Sequence, residues 1–177
     1  MKTVTIHHDL REVLDDAWQA AKNVPGFLSE DEARFLGMAA ATAPSHGSIV
    51  EIGSFKGKST VMLARVAKHY RLGRVVAIDP HNFNDPYFEE YRKGATTFDE
   101  FSTNLETAGI ADTVDVRRAF SSDVAKTWND PIRFLWIDGD HSYPGAKADF
   151  DGFFPHVTPG GIVAFHDALH EYPGPIR

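Results

Sequence analysis

Between Glu51 and Thr60 the chain reads EIGSFKGKST, a stretch of glycine, lysine and hydroxyl residues of the kind that wraps nucleotides. A phosphate-binding loop needs Gly, four residues, then Gly-Lys-Ser/Thr. Gly57-Lys58-Ser59 supplies the second half, but Ile52 stands where the first glycine belongs and Gly53 comes one residue late. Such a loop is a nest of backbone N–H groups with a set order of dihedral angles, so a missing residue misaims several donors together. In that reading Asp138, at the end of FLWID, would lie near magnesium. The competing reading is the glycine turn of a strand–loop–helix nucleotide fold. There Gly53 permits the tight turn and Gly57 the close backbone approach where the next helix begins. An acidic residue about 20 positions beyond the last glycine then holds the ribose hydroxyls. Asp79, ending VVAID, stands at that distance, and the phosphate-loop reading has no use for it.

Composition limits the classes open to these residues. The 177 residues suit one domain and can bury a real core. Hydrophobic residues make up 42% and aromatic residues 12%, which argues for a folded globule. A net charge of -7 argues against nucleic-acid binding, which needs clustered Lys and Arg; the pair Arg117-Arg118 is too small to reverse this. The absence of cysteine excludes disulfides, thiolate metal sites and a Cys nucleophile. The first residues turn acidic at once and carry no apolar signal core. No apolar run approaches the roughly 18 residues of a membrane span. A cytoplasmic chain without membrane partners is the expectation.

The elements that must position the chemistry follow from periodicity. Residues 9–22 and 29–43 carry helical spacing, the second opened by Ser29 and Glu32 in a capping-box pattern. They form a helical lead-in over residues 1–45. From residue 46 to 177 a core follows in which apolar runs alternate with helical segments. The runs are SIVEIG, RVVAIDP, TVDVRRAF, IRFLWIDGD and GGIVAFHD. The intervening helices are GKSTVMLARVAKHY, TTFDEFSTNLETAG, SSDVAKTW and SYPGAKADFDGFFPHV. Runs buried on both faces that alternate with helices imply an α/β, doubly wound, mainly parallel sheet. Ligands of such sheets bind at the carboxyl ends of the strands. Gly53, Asp79, Asp138, His166 and Asp167 stand there. The long aromatic loop HNFNDPYFEEY is expected to lid a ligand or to cover a sheet edge. Trp18, Phe27, Phe35, Trp128 and Trp136 are read as core. His7, His8, His46, His69, His156 and His170 are read as surface.

The order EIG-x-x-x-G-x-S, VVAID, AFSSDV and WIDGDHSYPGAKADFDGFFPHVTPGGIVAFHD resembles the class I S-adenosylmethionine-dependent methyltransferases. It is most similar to the small-molecule O-methyltransferases of the catechol and caffeoyl-CoA type. Closer still is the group that includes macrolide-sugar O-methyltransferases and cephalosporin hydroxylase-like proteins. The resemblance spans about Ser48 to Asp167. It implies a Rossmann-like fold with strand order 3-2-1-4-5 and methyl transfer from S-adenosylmethionine to a small-molecule hydroxyl. The resemblance also implies the roles. Glu51 lies near the methionine amine of the cofactor, unless it faces the next helix. Gly53, Ser54, Phe55, Gly57 and Ser59 form the cofactor loop, and Asp79 with Pro80 meets the ribose. Phe120 packs near the adenine, and Ser121 or Ser122 bonds one of its nitrogens, unless these serines cap the next helix. Asp138 and Asp167 hold a divalent cation, magnesium or manganese. The third ligand of the catechol type, an Asn, is replaced by Ala168, and His166 stands where antibiotic-type relatives use an acid. As a ligand His166 would favour manganese, iron or zinc; otherwise it bonds the acceptor or a backbone carbonyl. His141 stands where the catechol type carries a general-base Lys, so with Asp138 it is a catalytic candidate; its rival role is to orient Asp138. Asp140 either orients that imidazole or faces solvent. The family's sheet usually ends in an antiparallel strand pair. Here the chain ends at HEYPGPIR, so that pair is expected to be missing; the sequence is then either a shortened form or a subunit whose partner covers the open edge. A phosphate-loop NTPase or kinase and a non-catalytic adenosyl-binding module are the alternatives.

Overall fold

The computed structural model describes residues 9–43, 46–82 and 96–167. Five runs become strands: β1 (Ser48–Ile52), β2 (Val75–Ile78), β3 (Val114–Arg117), β4 (Ile132–Ile137) and β5 (Val157–Phe165). All pairings are parallel and the order is β3-β2-β1-β4-β5. The expected order 3-2-1-4-5 is therefore observed. Ile52 pairs with Ile78 on one side and Ile137 on the other, and Ile137 pairs with Phe165. This register sets Gly53, Asp79, Asp138 and His166 side by side, one residue past four neighbouring strand ends.

Helices cover both faces. α1 (Leu10–Ala21), α2 (Glu30–Thr42), α3 (Lys58–Tyr70) and α4 (Phe98–Thr107) lie on one face. Their apolar stripes share a core with Ile49, Val75, Ala77, Phe134 and Trp136. α5 (Ser121–Ala125) and α6 (Tyr143–Phe153) lie on the other, over Val50, Ile52, Val76, Leu135 and Ile137. Alternate residues of each strand feed the two cores, as the period of two requires. The lead-in helices α1 and α2 join the first core and do not stand apart from the sheet.

Three details differ from expectation. β5 starts at Val157, three residues early, because the backbone enters the sheet before Gly160-Gly161 and shifts register between Ile132 and Phe134. Phe27 and Phe35 are exposed, at 64% and 61%. Phe27 lies in the turn before α2 and meets the Phe55 ring at 5.9 Å. Phe35 lies on the outward face of α2, whose buried stripe is Ala33, Leu36, Ala39 and Ala40. Trp128 and Trp136 are buried and Trp18 packs partly against the core. Among the described residues β5 is an edge strand. The expected lid from Phe83 onward, the residues after Asp167, and His7, His8 and His170 lie outside the described residues.

Candidate active site at the carboxyl ends of the strands

The glycine loop is built by three left-handed residues, Gly53 (φ 84°), Phe55 (φ 47°) and Gly57 (φ 91°). A Cβ on Gly53 would lie 2.1 Å from the carbonyl oxygen of Asp138. Only glycine lets β1 turn that close to the end of β4. The N–H groups of Ser54 and Phe55 do not open onto a phosphate. Both donate to Asp79 Oδ2, at 2.9 and 2.8 Å, and the His81 N–H donates to Oδ1 at 2.6 Å. The chain's own carboxylate occupies the place a phosphate would take. Lys58 is turned to Gly26 O and the Trp18 ring, away from the loop. The phosphate-cradle reading is thereby overturned. Three of the four acceptor positions of the Asp79 carboxylate are used, which leaves one for a ribose hydroxyl. Ser54 Oγ is buried in this loop with no hydrogen-bond partner among the described residues. An unpaired buried hydroxyl beside a strained glycine turn fits a polar ligand held there.

Glu51 and Ser59 do not face that ligand space. Glu51 is fully buried and points to the first turn of α3, where Ser59 Oγ and Thr60 Oγ1 each donate to it at 2.5 Å. Burial pushes its carboxyl up to about 8; the two hydroxyls counter this only in part, and Asp138 and Asp79 add to it. This is the helix-facing alternative for Glu51. Pro80 follows Asp79 at the rim, half-buried.

On the other flank, Phe120 precedes α5 and is 56% exposed, and Ser122 is exposed beside it. The residue before the first turn of α5 is Phe120, so neither serine caps the helix. Ser121 Oγ instead donates to Asp149 of α6 at 2.5 Å.

At the β4 and β5 ends, Asp138, His141 and Asp167 each offer a ligand atom, and these atoms lie within 4.8 Å of one another. Oxygen and imidazole donors that converge in this way fit a divalent cation. His166 stands between the two carboxylates. Its Nδ1 lies 3.0 Å from Asp138 Oδ1 and 3.1 Å from Asp167 Oδ2, so it braces the two carboxylates from within. Asp167 reaches this geometry with a left-handed backbone (φ 51°). The Nε2 side of His166 faces Glu32 Oε1 at 3.7 Å. Glu32 uses its other oxygen in the expected capping box of α2, receiving the Ser29 N–H at 2.8 Å. Burial disfavours the His166 cation, but the Asp138 hydrogen bond and the charges of Asp138, Asp167 and Glu32 outweigh it and lift the imidazole to about 9. Burial raises the Asp138 carboxyl, and His166 pulls it back. Asp140 does not orient His141: it is exposed and accepts the Ser142 N–H at 2.8 Å, shaping the turn into α6.

A family model described as a methyltransferase domain matches residues 50–168. The chain belongs to this methyltransferase family. Its matched span runs from within β1 to just past β5 and includes Glu51, Asp79, Asp138 and Asp167. Among curated proteins, the methyltransferase domain is 28% identical over 123 residues to an uncharacterized protein of Acanthamoeba polyphaga mimivirus, covering 67% of this chain and 50% of that one. The chain therefore spans about half the length of that relative. Solved structures share the fold. The O-methyltransferase TomG of Streptomyces achromogenes, involved in tomaymycin synthesis and seen with S-adenosylmethionine, superposes with a TM-score of 0.63 at 20% identity, covering 94% of this chain and 68% of that one. A calicheamicin methyltransferase gives 0.60 at 17% identity, covering 97% and 83%. A Podospora anserina methyltransferase bound to S-adenosylhomocysteine gives 0.64 at 14% identity, covering 93% and 64%.

The methyltransferase site also holds residues that sequence reasoning missed. Thr60 shares Glu51 with Ser59. His81 is buried with a left-handed backbone, and its Nδ1 meets Thr97 Oγ1 at 2.9 Å, tying the loop after β2 to the start of α4. Asp149 comes from α6, for which no polar role was read, and Glu32 from α2. The capping box marked Glu32, but nothing local signalled its approach to His166.

Proposed function

We propose that the chain is an S-adenosylmethionine-dependent O-methyltransferase for a small-molecule hydroxyl, assisted by a divalent cation. The observation that carries this reading is the contact of Gly53 with the Asp138 backbone. It brings the glycine loop and the Asp138–Asp167 pair to one edge, so donor and acceptor would meet there. Bound S-adenosylmethionine supplies an electrophilic methyl group, and a bound cation makes an acceptor hydroxyl more acidic. The Gly53–Gly57 loop and Asp79 hold the donor's nucleoside half and set its direction. Asp138 and Asp167 hold the cation, with His166 bracing their carboxylates. The chain's main contribution is to align an oxygen with a methyl for in-line displacement.

His141 takes the acceptor's proton in this reading, since imidazole can serve as a base near neutral pH. A second role is favoured by its convergence with the two carboxylates: third ligand to the cation. One nitrogen cannot do both at once.

Calorimetry with S-adenosylhomocysteine, with and without Mg²⁺ or Mn²⁺, tests the reading, with ATP as the contrasting ligand. S-adenosylhomocysteine is expected to bind and to raise the melting temperature. Stabilisation by ATP alone would overturn the proposal.

A further inference from the structure

His81 is buried, 1% exposed, and the mechanism above does not use its ring. Three elements meet on it. Its own N–H donates to Asp79 Oδ1 at 2.6 Å, just past the end of β2. Its Nδ1 lies 2.9 Å from Thr97 Oγ1, and its ring packs 5.3 and 4.7 Å from the rings of Phe98 and Phe101, at the start of α4. The Phe55 backbone faces it from the glycine loop. α4 in turn supports that loop. A Cβ on Gly57 would lie 3.1 Å from the Phe101 ring, Asn104 Nδ2 donates to Lys56 O at 2.9 Å, and Glu100 pairs with Lys56 at 2.8 Å. Yet α4 buries only Phe101 and Leu105 of its 10 residues. A helix with so small an apolar footprint depends on its polar ties to stay docked.

The tie to Thr97 fits a neutral ring. A neutral imidazole has one acceptor nitrogen, so Nδ1 can take the Thr97 hydroxyl proton. Nε2 is buried with no hydrogen-bond partner among the described residues. A second proton would make both nitrogens donors and bring a charge into this space. The charged groups that face the ring oppose one another. Asp79, with Oδ1 3.9 Å from Nδ1, favours the cation, but it is already shared among three N–H groups. Arg118, 4.7 Å from the Phe98 ring, disfavours it. Burial is the largest effect and holds the imidazole below its ordinary value of 6.5.

We propose that His81 is a positioning residue whose neutral ring clasps α4 to the loop after β2, keeping Asp79 and the glycine loop in place, and that acid opens the clasp. The methyltransferase reading supplies only the ligand used as a probe. The sign follows from the burial. The docked ring refuses a proton that a released ring accepts, so docking is favoured most above pH 6.5 and loses ground as pH falls below it.

The test follows the α4 amides of the full chain by hydrogen exchange, and the His81 ring by NMR, from about pH 7.5 down to about pH 5. Calorimetry with S-adenosylhomocysteine is run at the same pH values. Once the ring takes its proton, α4 protection relative to β1 and β4 is expected to fall by up to roughly tenfold per pH unit, and the affinity with it. His81→Asn tolerates the left-handed backbone (φ 53°) and offers Thr97 an amide, but it does not titrate. It should flatten the α4 dependence. Glu51 titrates in an overlapping range with the opposite sign, so the difference between variant and wild type isolates His81. A ring that stays neutral to about pH 5, or an α4 that keeps its relative protection while the ring gains its proton, overturns the clasp. A His81→Asn chain with wild-type pH dependence overturns it too. If that variant does not fold, the wild-type comparison decides by itself. An α4 response without S-adenosylhomocysteine binding at any pH keeps the clasp and overturns the methyltransferase reading.

Discussion

Carboxylates line both halves of the strand ends, but the chain satisfies them by different means. On the β1–β2 half, Asp79 takes three backbone N–H groups and Glu51 takes two hydroxyls from α3. Four of these five donors lie within a few residues of Gly53 or Gly57, and the fifth, the His81 N–H, lies two residues past Asp79. On the β4–β5 half, Asp138 and Asp167 share one imidazole nitrogen of His166 and look towards His141. Among the described residues neither accepts a hydrogen bond from a backbone donor. The first half is a built cradle in which the fold supplies hydrogen-bond donors to both acidic side chains. The second keeps two carboxylates close with acceptor capacity to spare, which costs free energy unless a cation or a proton balances them. The contrast suggests a rigid donor side and an acceptor side whose charge state depends on what is bound.

The sharpest way to break the rigid half is Gly53→Ala. The new Cβ would meet backbone, not a side chain that can swing away, and the residue would keep a left-handed φ. A loss of about 4 kcal/mol or more is expected in denaturant unfolding, together with loss of S-adenosylhomocysteine binding.

Glu51→Gln probes the same half through pH. The folded carboxyl sits at about 8, above its ordinary value of 4.5. The native state therefore keeps a proton that the unfolded chain has released. The stability this group contributes is greatest below pH 4.5 and declines as pH rises towards 8. Glu51→Gln should remove a decline on the order of a few kcal/mol between those limits, since the amide can still bond both hydroxyls. A variant that keeps the wild-type slope in melts across this range would place the titration elsewhere.

On the other half, His141→Ala should lower kcat by roughly a hundredfold or more, the scale of a lost general base, with cofactor affinity unchanged. Recovery of near wild-type kcat on adding excess divalent metal would assign His141 to the ligand set instead.

The smallest effect provides the control for the first. Gly109 also has a positive φ, but nothing lies within 4 Å of a Cβ added there. Gly109→Ala should cost only about 1–2 kcal/mol, from backbone conformation alone. A cost equal to that of Gly53→Ala would mean that strain, not contact with the Asp138 backbone, dominates at Gly53.

Much of this architecture could be read in the chain. β-branched runs that end in Gly or Asp gave the strands, and the alternation with helical periods gave a parallel, doubly wound sheet. The Ser29–Glu32 capping box was legible because its partners lie three residues apart. Asp138 and Asp167 were legible as neighbours because strand ends converge on one edge, whereas the grouping of His141 with them as a third ligand atom came from the structure. What failed had a common cause. Phe27 and Phe35 were read as core by residue type, but a turn and an outward helix face leave them in solvent. His166 was left open between a cation ligand and an imidazole that bonds the acceptor or a backbone carbonyl. Packing turns Nδ1 between the two carboxylates and Nε2 towards Glu32.

The sequence by itself determined which elements form and which residues stand at their ends, because strand and helix periods and glycine turns are local properties of the backbone. Only the tertiary structure decided which way each polar group faces. The turn at Gly53 gives the Ser54 and Phe55 N–H groups to Asp79, α3 gives two hydroxyls to Glu51, and α6 gives Asp149 to Ser121. Each buried donor must find an acceptor brought to it from another element. The separations, 24 and 25 residues for Asp79 and 28 for Ser121–Asp149, lie beyond any periodicity in the chain.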